Sequence, residues 1–345
     1  MIRTALLVLS TGFVAPVVAA TAAVPGDPVP AKPRLFRDWM VACDNGGRCE
    51  AASLSSRDSM PQDAGLLIRR DSDGQVTVRV KDQTGQGQRA VVRIDGRVAA
   101  TIPLIRGSDG EWRGRTALAL ASALARGRKA VILTPAANAL SLNGAGAALR
   151  YMDERQKRAG TRTALVARGA AAYRATPPAL PVVRVVTPPP GAAPAVPGGR
   201  IVAARRLYQC PADAGGPVSA ETYRLDGRST LVLLSCGAGA YNFMVKPLIW
   251  RDSRLSPARF DFAFDFAEEP APGSARTLVN GDWSRDGRLS SWAKGRGLGD
   301  CGDAQSFGWD GTRFRLLDAA RMTECRGAID TLTVWRARPV PVGPR

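Results

Sequence analysis

The stretch KGRGLGDCGD (294–303) is where residue types and spacing come closest to chemistry. Its four glycines stand beside Lys294 and Arg296, and could bend the chain into a nest of backbone N–H groups for an anion, with Gly297 and Gly299 at the turn. Asp300 and Asp303 are neighbouring carboxylates, the groups that carry acid–base hydrolysis of polymers. A phosphate loop, however, needs a strand before it and a helix after it, and the residues that follow read as another strand. A turn anchored by Cys301 would need the same glycines with no ligand at all.

The chain contains no histidine. Histidine-dependent mechanisms are therefore excluded, the serines lack that base, and no motif marks a serine–lysine pair. Metal ligation would fall to cysteine and carboxylate, yet no CxxC pair occurs, so neither a metal site nor a cofactor is expected. The cysteines number six, an even count that suits an oxidising compartment. Cys43 and Cys49 flank Asn45-Gly46-Gly47, residues that accept positive φ in a reversing turn, which suits a disulfide across a hairpin mouth. The other four cysteines admit several pairings that sequence alone does not choose between. The expectation is Cys210 with Cys236 and Cys301 with Cys325, nearest neighbours that close loops of about 25 residues worth roughly 3 kcal/mol each.

The elements that must position these residues are mostly strands. Segments 35–43, 48–53, 66–70, 75–81, 90–94 and 97–104 are rich in β-branched residues, with Asp73-Gly74 and Asp95-Gly96 as turns. Trp39 reads as a packing aromatic. TALALASALARG (116–127) is a helix with a glycine cap, and AGAALRYMDERQKRAG (145–160) is a second whose charged run reads as a solvated face. After residue 200, strands are expected at 229–250, in the alternating FDFAFDF (260–266), in the hairpin WDGTRFRLL (309–317) and in TLTVWRA (331–337). Between the halves lies ATPPALPVVRVVTPPPGAAPAVPGG (175–199), whose eight prolines predict an extended connector. The reading is a mainly β (α+β) protein of two β-rich, sandwich-like domains, 35–175 and 200–345, with helices in the first and a Pro-rich linker at 176–199.

Met1-Ile2-Arg3, an apolar run from Ala5 to Ala19 and a small-residue exit read as a signal peptide over residues 1–22, cleaved after Ala20 or Ala22. No later stretch is long and apolar enough to span a bilayer, so a periplasmic location is expected. The formal net charge is +18. Residues 35–175 hold 23 basic and 13 acidic side chains and residues 200–345 hold 21 and 16, so the excess leans toward the first half. Such a charge favours an anionic envelope component or an acidic protein. Nucleic acid is not the expected partner, because the arginines are scattered and not interleaved with stacking aromatics.

Several stretches together, DWMVACDNGGRCEA, AALRYMDERQKRAGTRTALVARG, SCGAGAYNF, KGRGLGDCG, WDGTRFRLLDAARMTECRG and TVWRA, resemble the DUF1176 family of bacterial secreted proteins. The first half, through its Trp39-to-Cys49 opening and SLNGAGAAL (141–149), is also similar to invasion-associated locus B-like periplasmic proteins. The resemblance implies an envelope location and β-rich modules and brings no activity with it. The expected function is that of a non-enzymatic binding or envelope-associated protein with a basic surface. A carboxylate-dependent hydrolase of envelope polymers, using Asp300 and Asp303, is the alternative.

Overall fold

The computed structural model describes residues 26–57, 63–211, 220–264 and 274–343. The expected signal peptide lies outside them. In the first half the elements run β1 (Arg34–Phe36), β2 (Trp39–Cys43), β3 (Cys49–Ser53), β4 (Ala64–Arg70), β5 (Val76–Asp82), β6 (Arg89–Ile94), β7 (Arg97–Pro103), β8 (Asp109–Arg113), α1 (Gly114–Arg126), β9 (Ala130–Leu133), β10 (Ala137–Leu140) and α2 (Ala145–Arg155). Then follow β11 (Val182–Val186), α3 (Gly198–Leu207), β12 (Ala220–Arg224), β13 (Thr230–Ala238), β14 (Phe243–Arg251), β15 (Arg254–Pro257), β16 (Leu278–Val279), β17 (Asp282–Trp283), β18 (Arg288–Lys294), β19 (Gly302–Trp309), β20 (Phe314–Met322), β21 (Leu332–Arg336) and β22 (Arg338–Val342).

The fold is mainly β. A six-stranded sheet β1-β2-β3-β4-β5-β8 and a four-stranded sheet β10-β9-β6-β7 make up the first half. Ala117, Leu120, Ala121 and Leu124 of α1 and Ala145, Ala148, Leu149 and Met152 of α2 fall at helical spacing and bury against Trp39, Val41, Leu66, Ile68 and Val78. The second half pairs two five-stranded sheets, β12-β13-β14-β15 with β16 alongside, and β17-β18-β19-β20-β21. Leu231, Leu233 and Ile249 of the first of these meet Leu289, Phe307, Phe314 and Leu316 of the second in one apolar layer, a sandwich core. The opposite side chains of β13, Val232 and Leu234, pack with Ala204 of α3, which is why β13 reads as a continuous apolar run.

The two halves share that layer. Every residue of β2 and β3 is buried, because Trp39 and Val41 face the helices while Met40, Ala42 and Ala52 join Ile329, Leu332 and Val334 from the second half. Arg326 fastens the contact by donating to the Ser55 carbonyl and to Asp38. The backbone N–H of Thr333 donates to Glu50.

Several expectations change. The linker region is more than a bare connector: Val182–Val186, which has no proline within it, is an extended strand that pairs in parallel with β22, and α3 begins at Gly198. The second helix stops at Arg155 and not near 160, since Lys157 takes a positive φ of 55°. Gly127 caps α1 at φ −70°, so its value there is space and not handedness: a Cβ would lie 2.5 Å from Ile94 Cγ2. Among the described residues of FDFAFDF only Phe260 makes a bridge, to Phe314, and the Asp261 side chain is buried in an ion pair with Arg315, so the apolar–polar alternation over 260–264 does not become a half-exposed strand. Asp265 and Phe266 lie outside the described residues.

Candidate functional site

The loop between β18 and β19 is shaped by its disulfide. Cys301 is bonded to Cys325 beyond β20, and a Cβ on Gly295 would lie 2.7 Å from the Cys301 sulfur. Gly302, at φ 135°, passes so close to the Ala293 carbonyl that a Cβ would sit 2.0 Å from its oxygen. Gly295 makes room for the disulfide sulfur and Gly302 for a main-chain carbonyl, so both glycines have a steric role that needs no ligand. Arg296 is turned onto the loop's own carboxylate, with Nε and Nη2 donating to the two oxygens of Asp300 at 2.7 and 2.5 Å. The Gly327 N–H donates to the same carboxylate at 2.6 Å. Gly297 packs beneath Tyr241, and Gly299, at φ 69°, turns the chain with open space around it.

Asp303 belongs to a different neighbourhood. It sits on β19 opposite Arg321, whose Nε and Nη2 donate to its two oxygens, the latter at 2.9 Å. Lys294 and Asp303 line a cavity of about 170 Å³ with Phe264 and Gln305, and Asp300 and Arg296 are not in its wall. Each carboxylate is thus held by its own arginine. Burial works against charge on Asp300, but the hydrogen bonds from Arg296 and the Gly327 amide outweigh it and hold the carboxyl below its ordinary range. Its ion pair therefore adds stability above the unfolded carboxylate value of about 3.9 and loses it as pH falls through the lower folded value. Asp300→Asn is expected to flatten the acid limb of a stability–pH profile; an unaltered limb would contradict this.

A second cavity was not visible in the sequence. It holds about 220 Å³ and is lined by the Cys43–Cys49 disulfide, Asp44, Gly47, Ser72, Arg155, Gln156, Lys157, Tyr173 and Pro177-Pro178. Cys43 and Cys49 face each other directly across β2 and β3, and Asp44 closes the turn by accepting from the Gly46 and Arg48 amides at 2.8 and 3.0 Å. The other Asp44 oxygen takes Arg336.

Behind this cavity the charged run expected to be solvated is divided. Asp153, Gln156 and Arg158 turn inward, and Glu154, Arg155 and Lys157 are exposed. Asp153, fully buried, accepts from Arg70 Nη1 at 2.8 Å and from the amides of Leu165, Val166 and Ala167 at 2.8, 2.9 and 3.1 Å. Arg70 also donates to Gln156, which spans to the Gly47 carbonyl at 2.7 Å. Arg158 donates to Thr163 and to the Ser72 carbonyl, each at 3.0 Å, with its guanidinium 3.8 Å from the centre of the Tyr173 ring. Burial pulls the Arg70 pKa below its ordinary value, opposed by Asp153.

This shell holds two guanidinium groups against one carboxylate. Arg70 Nη2 and Arg158 Nε are buried without a hydrogen-bond partner among the described residues. Outside it, Arg155 and Lys157 make no ion pair among the described residues. The sequence did carry a signal: Asp153 follows Leu149 by four positions and Gln156 follows Met152 by four, so both lie on the stripe that faces the core.

The third disulfide, Cys210–Cys236, ties the end of α3 to β13. No helix among the described residues is long and apolar enough to cross a membrane. Among solved structures, the crystal structure of invasion associated protein B from Bartonella henselae is similar at 17% identity and a TM-score of 0.29, covering 36% of this chain and 99% of that one. The uncharacterized protein YpfG of Escherichia coli (strain K12) is 28% identical over 337 residues, covering 88% of this chain and 93% of that protein. Residues 33–338 match the model of the family described as a protein of unknown function, DUF1176, and the chain belongs to that family.

Proposed function

We propose that this protein is a non-enzymatic, exported binding protein that holds a carboxylate-bearing partner, an acidic segment of another polypeptide, at the basic cavity beside Cys43–Cys49. The observation that carries the reading is the pair of unpaired cations, Arg155 and Lys157, on the rim of a cavity backed by surplus buried positive charge. Cations at the C-terminal end of α2 also complement its dipole, which accounts for Arg155 on its own but not for the second buried guanidinium. At about 220 Å³ the cavity is smaller than the ~300–1,000 Å³ of ordinary small-molecule sites, which suits one inserted side chain. The three disulfides support an oxidising compartment, and the periplasm is the location proposed.

A hydrolase reading finds no comparable support. Asp300 and Asp303 are each taken up by an arginine, and Asp300 is held low where a general acid needs a raised pKa. A fluorescent glutamate-rich peptide titrated against the protein is expected to bind saturably at low salt and to be released at high salt. Absence of binding at low salt, or binding indifferent to salt, would count against the proposal.

A further inference from the structure

The outer face of the β17–β21 sheet carries a site of different character. Strand pairing sets Trp292, Ala304, Ala320 and Thr333 side by side, with Ser290, Ser306, Asp318 and Arg336 in the next row. These residues floor a groove of about 380 Å³, walled on one side by Arg48 from the β2–β3 turn of the first half. That volume lies in the range of ligand sites, about 300–1,000 Å³, and its position between the halves is a usual one.

The charges around this groove are matched. Asp318 is held by Arg288 at 3.0 Å, Arg48 by Asp71 at 2.6 Å, and Arg336 by Asp44. What remains uncommitted is neutral or half-used. The Trp292 indole N–H and the Thr333 hydroxyl have no hydrogen-bond partner among the described residues, and only one Asp318 oxygen is occupied, by Arg288 and Ser306. Trp39, Trp112 and Trp309 each donate their N–H internally, and Trp335 Nε1 is buried without a partner among the described residues, so what sets Trp292 apart is that its unused N–H belongs to a residue lining this groove. The Trp292 ring is half-buried and makes no ring contact with another aromatic side chain among the described residues.

We infer that this groove binds an uncharged saccharide ring. A pyranose offers one apolar C–H face and an edge of hydroxyls that both donate and accept. An indole beside a row of alanines, with an unused N–H donor, a hydroxyl and a carboxylate oxygen in the same groove, is the complement of that shape. A nucleobase could also lie on the indole, but its phosphate would need free cations, and those lining the groove are paired. A peptide strand would need an open sheet edge, and the floor is a sheet face. The inference does not depend on the anionic site, since the two share no proposed ligand contact.

The test is isothermal titration of the full chain with two soluble uncharged probes, an N-acetylglucosamine oligomer and a maltose oligomer. Saturable binding of at least one, little altered by salt, is expected. Trp292→Ala should weaken it roughly tenfold or more, and the near-isosteric Thr333→Val, which leaves the packing in place, should weaken it several-fold. No saturable binding of either oligomer to the wild-type protein, or binding that Thr333→Val and Trp292→Ala both leave unchanged, would overturn the inference.

Discussion

Asp153→Ala is expected to cost about 3–5 kcal/mol of folding stability, the range found when one partner of a buried ion pair is removed. The carboxylate has no exposure and serves four donors at once, one of them the equally buried Arg70. Without it the guanidinium is left uncompensated in the core, and the amides of residues 165–167, which set the path of the chain after α2, lose their acceptor. Arg70→Met alone should also destabilise. The double variant should be less unstable than the two losses summed, because removing both partners leaves no orphaned charge, and a coupling of about 1–3 kcal/mol is expected. Urea unfolding of the four proteins measures it. A loss below ~1 kcal/mol in Asp153→Ala, or strict additivity, would show that the network is peripheral to the fold.

Gly144→Ala should be nearly as damaging, for a different reason. Gly144 leads into α2 at φ 92°, and a Cβ there would lie 1.8 Å from the Phe36 carbonyl oxygen. The left-handed backbone alone costs a residue bearing Cβ roughly 1–2 kcal/mol. The clash with main chain should raise the total to about 4 kcal/mol, the far end of the single-substitution range. Gly160 supplies the control, since it has φ 78° with nothing within 4 Å of the added atom. Gly160→Ala should show only the conformational cost. Equal melting temperatures for the two variants would contradict the steric account.

Much of the architecture was legible because the first half obeys local rules. Asp95-Gly96, with φ 49° and 81°, makes the two-residue turn that joins β6 to β7, as that dipeptide predicts. Val76, Val78 and Val80 alternate inward along β5. Where pattern reading failed, the cause was tertiary covering. β2 and β3 are buried on both faces, which sequence shows only as small and apolar residues, and Val182–Val186 finds its partner strand about 150 residues downstream, beyond any local signal.

The candidate sites split in the same way. Asp300 with Arg296 is an (i, i+4) pair that sequence could have offered as mutually neutralising, whereas the Asp303–Arg321 pair depends on the β19–β20 register. The cavity at Tyr173 was hidden because the charged run after Met152 has no uniform face: alternate residues of it go in and out beyond the last turn of α2. Trp292 carried no mark at all in the sequence, since its neighbours are small residues brought from three other strands.

If a local constellation, and not the overall charge of +18, attracts the anionic partner, charge reversal must act by position. Reversing two charges at the cavity, Arg155→Glu with Lys157→Glu, and two elsewhere, Arg97→Glu with Arg254→Glu, yields proteins of equal net charge, all four positions being exposed. Titrated with the same glutamate-rich peptide at low salt, the cavity variant should lose at least about tenfold in affinity, near 1.4 kcal/mol, while the remote variant stays within about twofold of wild type. Equal losses in the two variants would mean that the attraction is diffuse and that the cavity beside Cys43–Cys49 is not the site.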